Sequence, residues 1–169
     1  MAKPRLRLYS VVPNLQLSST EDRLIKLTDY KQQKNLILFF YNSGQCLSCL
    51  ERLRAFSTNY DSYKRLNAEV LGISSDPVAD SKIIKEEYRL PFPLLSDPEG
   101  RQMDRITEVV DGVATPSVFV IDRYGSLFNQ WIISHEEGDL PEDKVYLQTL
   151  EYIEAQCPEC GIFPEEESA

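Results

Sequence analysis

The stretch Leu36-Ile37-Leu38-Phe39-Phe40-Tyr41-Asn42-Ser43-Gly44-Gln45-Cys46-Leu47-Ser48-Cys49 decides the fold. Asn35 to Tyr41 reads as a central strand, apolar on both faces as a covered sheet requires. The apolar run is far too short to cross a bilayer. A small polar loop follows. Leu50, Leu53, Phe56, Tyr60 and Tyr63 then recur at helical spacing, which predicts a long helix opening at the cysteines. Cys46 thereby falls at a helix start, where free backbone N–H groups and the positive end of the dipole favour a thiolate. Cys49 lies one turn along, close enough to resolve a mixed disulfide or sulfenic acid by closing a Cys46–Cys49 bridge. Structural zinc sites use the same spacing, so the redox reading comes from the strand-to-helix junction rather than from CxxC alone.

Working outward, Val11-Val12-Pro13 ends an N-terminal arm over residues 1–14. Leu15 to Leu17 and Leu24 to Leu27 flank a polar turn and predict a small hairpin, and Thr28-Asp29-Tyr30-Lys31 a capped turn. Ala68 to Ile73 is a second strand. Asp76 as cap with Pro77 at the first helical position predicts a helix running to about Arg89. Phe92-Pro93-Leu94-Leu95 is a short extended piece, and Asp97-Pro98 repeats the cap-plus-proline signal for a helix through about Val109. Ser117 to Ile121 turns at Asp122-Arg123-Tyr124-Gly125 into Ser126 to Ile133, an antiparallel hairpin. Pro141 opens the last helix, with Tyr146, Leu150, Ile153 and Cys157 on its face. The alternation of strand and helix is α/β with a mixed sheet. One domain over 15–156 is expected, followed by a Cys-Pro-Glu-Cys motif and an acidic tail over 157–169.

Composition agrees with a folded domain. The chain has 169 residues, 42% hydrophobic and 27% charged, enough for a real core without bridges. Its formal charge of -9 argues against nucleic acid as a partner, since such binders carry a basic stripe. The one basic cluster is Lys3, Arg5 and Arg7. No apolar segment predicts a membrane anchor or a signal-peptide core, so a cytoplasmic location is expected. Four cysteines in a reducing compartment point to redox catalysis or metal binding.

Several segments in order resemble one family. Val12-Pro13-Asn14-Leu15-Gln16-Leu17, Leu27-Thr28-Asp29-Tyr30, Leu36 to Cys49, Glu69 to Ser74 and Thr115 to Asp122 are similar to the peroxiredoxin-like branch of the alkyl hydroperoxide reductase/thiol-specific antioxidant family. The resemblance implies a thioredoxin-like three-layer α/β/α fold with a central mixed sheet, a peroxiredoxin-like N-terminal hairpin and an inserted strand and helix. It implies an antioxidant thiol oxidoreductase that reduces peroxides or protein disulfides through a redox-active Cys46–Cys49 disulfide. No organic cofactor is implied. A thioredoxin- or glutaredoxin-like reductant would reset the pair, and a homodimer is one expected assembly. It also implies a cis Thr115–Pro116 bond, with Thr115 and Pro116 supporting the site. Tyr41 is a further candidate for lining the cysteine pocket.

Two departures bear on the chemistry. Aligned without gaps from Phe39-Phe40-Tyr41, Cys46 takes the Thr position of typical peroxiredoxins and Cys49 the peroxidatic one, whereas a thioredoxin-style alignment makes Cys46 the nucleophile. The latter is preferred because Cys46 lies nearer the exposed helix start. Pro116 stands where typical peroxiredoxins place an arginine, and Gln45 and Ser48 replace the Trp and Pro of thioredoxin-like motifs.

Cys157-Pro158-Glu159-Cys160-Gly161 resembles a zinc-knuckle turn, which needs two more ligands. Accessory dithiol, metal site and C-terminal clasp all remain open for this pair. The rival for the whole chain is therefore a zinc-stabilised binding module using Cys46, Cys49, Cys157 and Cys160 without turnover. The lone His135 sits beside Glu136 and Glu137 and reads as a solvated loop residue, and Trp131 as packing.

Overall fold

The computed structural model describes residues 4–133 and 139–156. His135, Cys157, Cys160 and the acidic tail lie outside the described residues. A seven-stranded sheet runs in the order β2-β1-β5-β4-β3-β8-β9. Its strands are β1 (Gln16–Ser19), β2 (Leu24–Lys26), β3 (Asn35–Phe40), β4 (Ala68–Ser74), β5 (Leu94–Ser96), β8 (Ser117–Ile121) and β9 (Leu127–Ile132). A separate two-stranded ribbon joins β6 (Val109–Val110) to β7 (Val113–Ala114). The helices are α1 (Leu47–Thr58), α2 (Tyr60–Arg65), α3 (Val78–Glu87) and α4 (Asp143–Ala155).

β3 lies between β4, which pairs with it in parallel over Asn35–Phe40, and β8, which pairs antiparallel over Leu36–Phe40. Its residues alternate between two cores. Ile37, Phe39 and Tyr41 pack with Cys49, Leu53, Phe56 and Tyr146 beneath the helices. Leu36, Leu38 and Phe40 face Leu15, Leu17, Met103 and Ile106 on the opposite side. A residue deep in a sheet with both faces covered has no polar side to show, hence the unbroken apolar run. Under α1 the rings of Tyr41, Phe39 and Phe56 follow one another at centroid spacings of 5.3 and 5.6 Å, and Phe56 stacks on Tyr146 at 5.8 Å. The mixed sheet, the N-terminal hairpin β1–β2 and the β8–β9 hairpin are as expected, and the class is α/β.

Four local expectations are corrected. The long helix divides at Asn59, whose N–H and side-chain amide both donate to the Ala55 carbonyl and close α1 before α2 begins. Asp76 does not cap α3, because Pro77 holds the N-cap position and no side chain caps there. No helix runs from Asp97 to Val109. The Asp97 carboxylate accepts the Met103 N–H at 2.8 Å and Gly100 takes a φ of 73°, which leaves one 3-10 turn at Met103–Arg105 and then β6. Among the described residues no peptide is cis, so Thr115–Pro116 is trans. Trans is the ordinary X–Pro state.

The N-terminal segment is bound rather than loose over its described part. The Tyr9 N–H donates to the Leu127 carbonyl, the Leu127 N–H to Ser10, and the Val12 N–H to Gly125. Arg5 reaches the Thr107 carbonyl and Asp104. Among the described residues no helix is long and apolar enough to cross a membrane.

Candidate active site

The carboxyl end of β3 runs into the turn Asn42–Gln45, and the turn delivers Cys46 to the N-cap of α1. The turn is closed from within. The Cys46 N–H donates to the Ser43 carbonyl at 3.2 Å, and the Gln45 N–H to Ser43 Oγ at 3.1 Å. It is also tied from outside, where the Gly44 N–H donates to Asp76 Oδ2 at 2.7 Å.

Cys46 Sγ occupies the place a Ser or Asp oxygen takes in an ordinary N-cap. It accepts the Cys49 N–H at 3.3 Å and lies 3.3 Å from Ser48 Oγ. The residue is partly exposed, and its neighbour Leu47 is 77% exposed. Cys49, one turn on, is 2% exposed and packed in the core beside Tyr41. Both are free thiols.

This geometry separates the two ionisations. Burial alone would raise the Cys46 thiol, but hydrogen bonds from the Cys49 and Ser48 side chains and backbones outweigh it, and the thiol sits below its usual range. Burial pushes the Cys49 thiol up to about 12, and its bond to Cys46 adds to the rise against the opposing amides of Asn42 and Ser43. One proton shared along the pair therefore rests on Cys49 and leaves charge on Cys46. Iodoacetamide labelling followed by peptide mass mapping is expected to show Cys46 reacting in the neutral range, with a pH midpoint below that of a free cysteine. Cys49 is expected to stay unlabelled through that range. A Cys46 midpoint at or above the free-cysteine value contradicts this electrostatic picture.

A cleft of about 810 Å³ opens beside Cys49, between α1 and α4, with Phe39, Ser48, Arg52, Pro116 and Leu140 in its wall. Arg52 is engaged there, with one guanidinium nitrogen 3.5 Å from Asp143 Oδ1 and the other donating to the Leu140 carbonyl at 3.2 Å. Tyr63 donates to the second Asp143 oxygen at 2.6 Å.

Among the residues singled out from sequence, Cys46, Cys49, Tyr41 and Pro116 come together here. The Tyr41 ring lies behind Cys49 with its hydroxyl toward Ser74 and Ser81. Thr115 turns away, its hydroxyl donating to Glu108 at 3.2 Å. Sequence reasoning missed the Ser48 hydroxyl, the Arg52–Asp143–Tyr63 cluster and the Asp76–Gly44 bond. Only Asp76 carried a signal, and it pointed to helix capping.

A mixed sheet with a dithiol at the junction of its central strand and the following helix defines a thiol protein of thioredoxin fold. Residues 9–129 match the AhpC/TSA family, and the chain belongs to that family. It is 36% identical over 148 residues to a putative chloroplastic peroxiredoxin Q of Oryza sativa subsp. indica, covering 83% of this chain and 66% of that one. It is 30% identical over 132 residues to peroxiredoxin Bcp of Bacillus subtilis (strain 168), covering 70% of this chain and 80% of the relative. The chain spans 42% of the wheat peroxiredoxin Q that it also matches. The crystal structure of peroxidoxin BcpB from Mycobacterium tuberculosis superposes with a TM-score of 0.77 at 23% identity, covering 88% of this chain and 98% of that one. The crystal structure of a PrxQ mutant from Xylella fastidiosa gives 0.75 at 19% identity, covering 88% of this chain and 97% of that one. None of these likenesses supports the four-thiolate zinc module, and among the described residues no three His, Cys, Asp or Glu cluster to hold a metal.

Proposed function

We propose that the protein is a peroxide-reducing thiol oxidoreductase working through Cys46 and Cys49, with Cys46 as the attacking thiol. The supporting observation is the asymmetry of the pair: a partly exposed, charge-stabilised cysteine at the N-cap of α1 and a buried, protonated one a turn away. The Cys46 thiolate attacks the nearer peroxide oxygen. An S–O bond forms as the O–O bond breaks, and the departing oxygen leaves as alcohol or water after taking a proton. Cys49 then attacks the Cys46 sulfenic acid, forming the S–S bond, and the sulfenic oxygen leaves as water. The two electrons come from the sulfurs, and a thioredoxin- or glutaredoxin-like dithiol protein restores them. The four-residue span keeps both steps within one chain.

Peptide mapping of the reduced protein after one equivalent of peroxide tests the reading. The expected product is a Cys46–Cys49 bridge formed with loss of two thiols per peroxide. Peroxide left unconsumed, or a bridge that excludes Cys46, counts against it.

A second reading, exchange with protein disulfides at the same pair, is favoured by Pro116 standing in the cleft wall and by Arg52 being held by Asp143 and Leu140. The Arg52 guanidinium is then not free to polarise a peroxide at the pair. A faster second-order rate with a protein disulfide than with hydrogen peroxide would favour exchange.

A further inference from the structure

We propose that Asp76 is a positioning residue for the dithiol, acting through the Gly44 amide on the turn that presents both sulfurs. The inference deepens the function proposed above and rests on Cys46 as the attacking thiol.

Asp76 belongs to the connection between β4 and α3, 32 residues beyond Gly44, and would pass unremarked as a helix cap. It is not one, since Pro77 holds that position. Its carboxylate instead receives the Gly44 N–H at 2.7 Å, a charge-assisted bond of short length. Asp76 is itself fixed at both ends of its backbone. Its N–H donates to Ser74 Oγ at 3.2 Å, and its carbonyl accepts the Ser96 hydroxyl.

The turn has no slack on that side. A Cβ on Gly44 would stand 2.9 Å from Ile84 Cγ1 and 3.3 Å from Asp76 Oδ2, so any larger residue forces the Ile84 side chain on α3 or the turn to shift. What the turn holds is the amide set around the sulfurs. The Ser43 carbonyl takes the Cys46 N–H, which starts α1 at the right residue, and the Asn42 and Ser43 amides face Cys49. The bonds that favour charge on Cys46 come from Ser48 and Cys49 in the first turn of α1, and the Cys46 N–H bond to Ser43 orients that turn. Hydrogen bonds weaken steeply with misalignment, so releasing the loop from Asp76 loosens the start of α1 and with it those bonds.

Bracing and charge predict opposite signs. A carboxylate acting by its field alone disfavours a nearby thiolate, so removing it would speed alkylation of Cys46. A brace, when removed, slows it.

The test uses the full chain, with iodoacetamide labelling of Cys46 read by peptide mass mapping across pH. Asp76→Ala is expected to react about tenfold slower at neutral pH, with its midpoint raised accordingly. Asp76→Asn keeps an acceptor oxygen and is expected to stay within about threefold of the parent. Gly44→Ala, which leaves residue 76 an aspartate, is expected to slow labelling similarly by pressing the turn against Ile84, and adding Ile84→Ala to restore it. That last pair decides the matter if Asp76→Ala does not fold. Labelling of Asp76→Ala at or above the parent rate overturns the proposal, as does an Asp76→Asn that falls equally far or a Gly44→Ala that labels normally. Peroxide failing to oxidise a normally labelling parent would strike the proposed function and leave this inference standing.

Discussion

Cys46→Ser is expected to lower peroxide consumption by about a thousandfold or more, because the group that attacks oxygen is gone. Cys49→Ser is expected to behave differently. The first oxidation survives, the sulfenic acid on Cys46 has no partner, and a dimedone adduct accumulates on the Cys46 peptide after a single turnover. Stopped-flow consumption of peroxide with adduct mapping separates the two variants. The structural basis is exposure: Cys46 is open at the helix start, whereas Cys49 is 2% exposed with its thiol pushed up to about 12. The ungapped family alignment, which puts the peroxidatic role on Cys49, predicts the reverse. Adduct on Cys49 in a Cys46→Ser protein would establish that assignment instead.

Arg52→Ala is expected to cost about 3 kcal/mol of folding stability, at the lower end for breaking a buried ion pair. Asp143 would stay in place with side-chain exposure of only 11% and without its cation. It would keep the Tyr63 hydroxyl, which holds the loss below the top of that range. Tyr63→Phe is expected to cost about 1–2 kcal/mol by removing the donor while leaving the ring packed on Phe56. Because all three groups meet on one carboxylate, Arg52→Ala and Asp143→Ala together should cost well under the sum of the singles. Urea unfolding of the parent, the two single variants and the double variant measures this. Additive losses would show that Arg52 and Asp143 act separately, and the cluster could not then be what joins α1 to α4 beside the dithiol.

The sequence was most legible where local pattern and tertiary role coincide. β3 has apolar residues on both faces because each face meets its own core, so its burial was readable before its neighbours were known. The cysteines could be placed at a helix start because strand, small polar loop and apolar stripe follow one another directly. Legibility failed where a polar side chain serves a distant partner. Asp76 and Asp97 each precede a proline and read alike as caps. One reaches the Gly44 amide and leaves the N-cap of α3 to Pro77, and the other reaches the Met103 amide where no α-helix follows. The helix break at Asn59 was hidden because the apolar spacing continues through it into Tyr63. The antiparallel pairing of β1 with β5 depends on residues far apart in the chain, and no local signal carries it.

The N-terminal segment has a bearing on how copies of this chain can associate. A sheet of seven strands ends in two rims of unpaired backbone, and such rims are templates for a neighbouring chain. On the β2 side the strand is only three residues long, and the Lys26 N–H is taken by Asp29. On the β9 side Tyr9, Ser10 and Val12 occupy the backbone of Gly125 and Leu127, and Gln130 reaches the Leu6 carbonyl. Each chain thus plugs part of its own outer rim, so docking another copy there by strand addition first requires peeling residues 6–12 away.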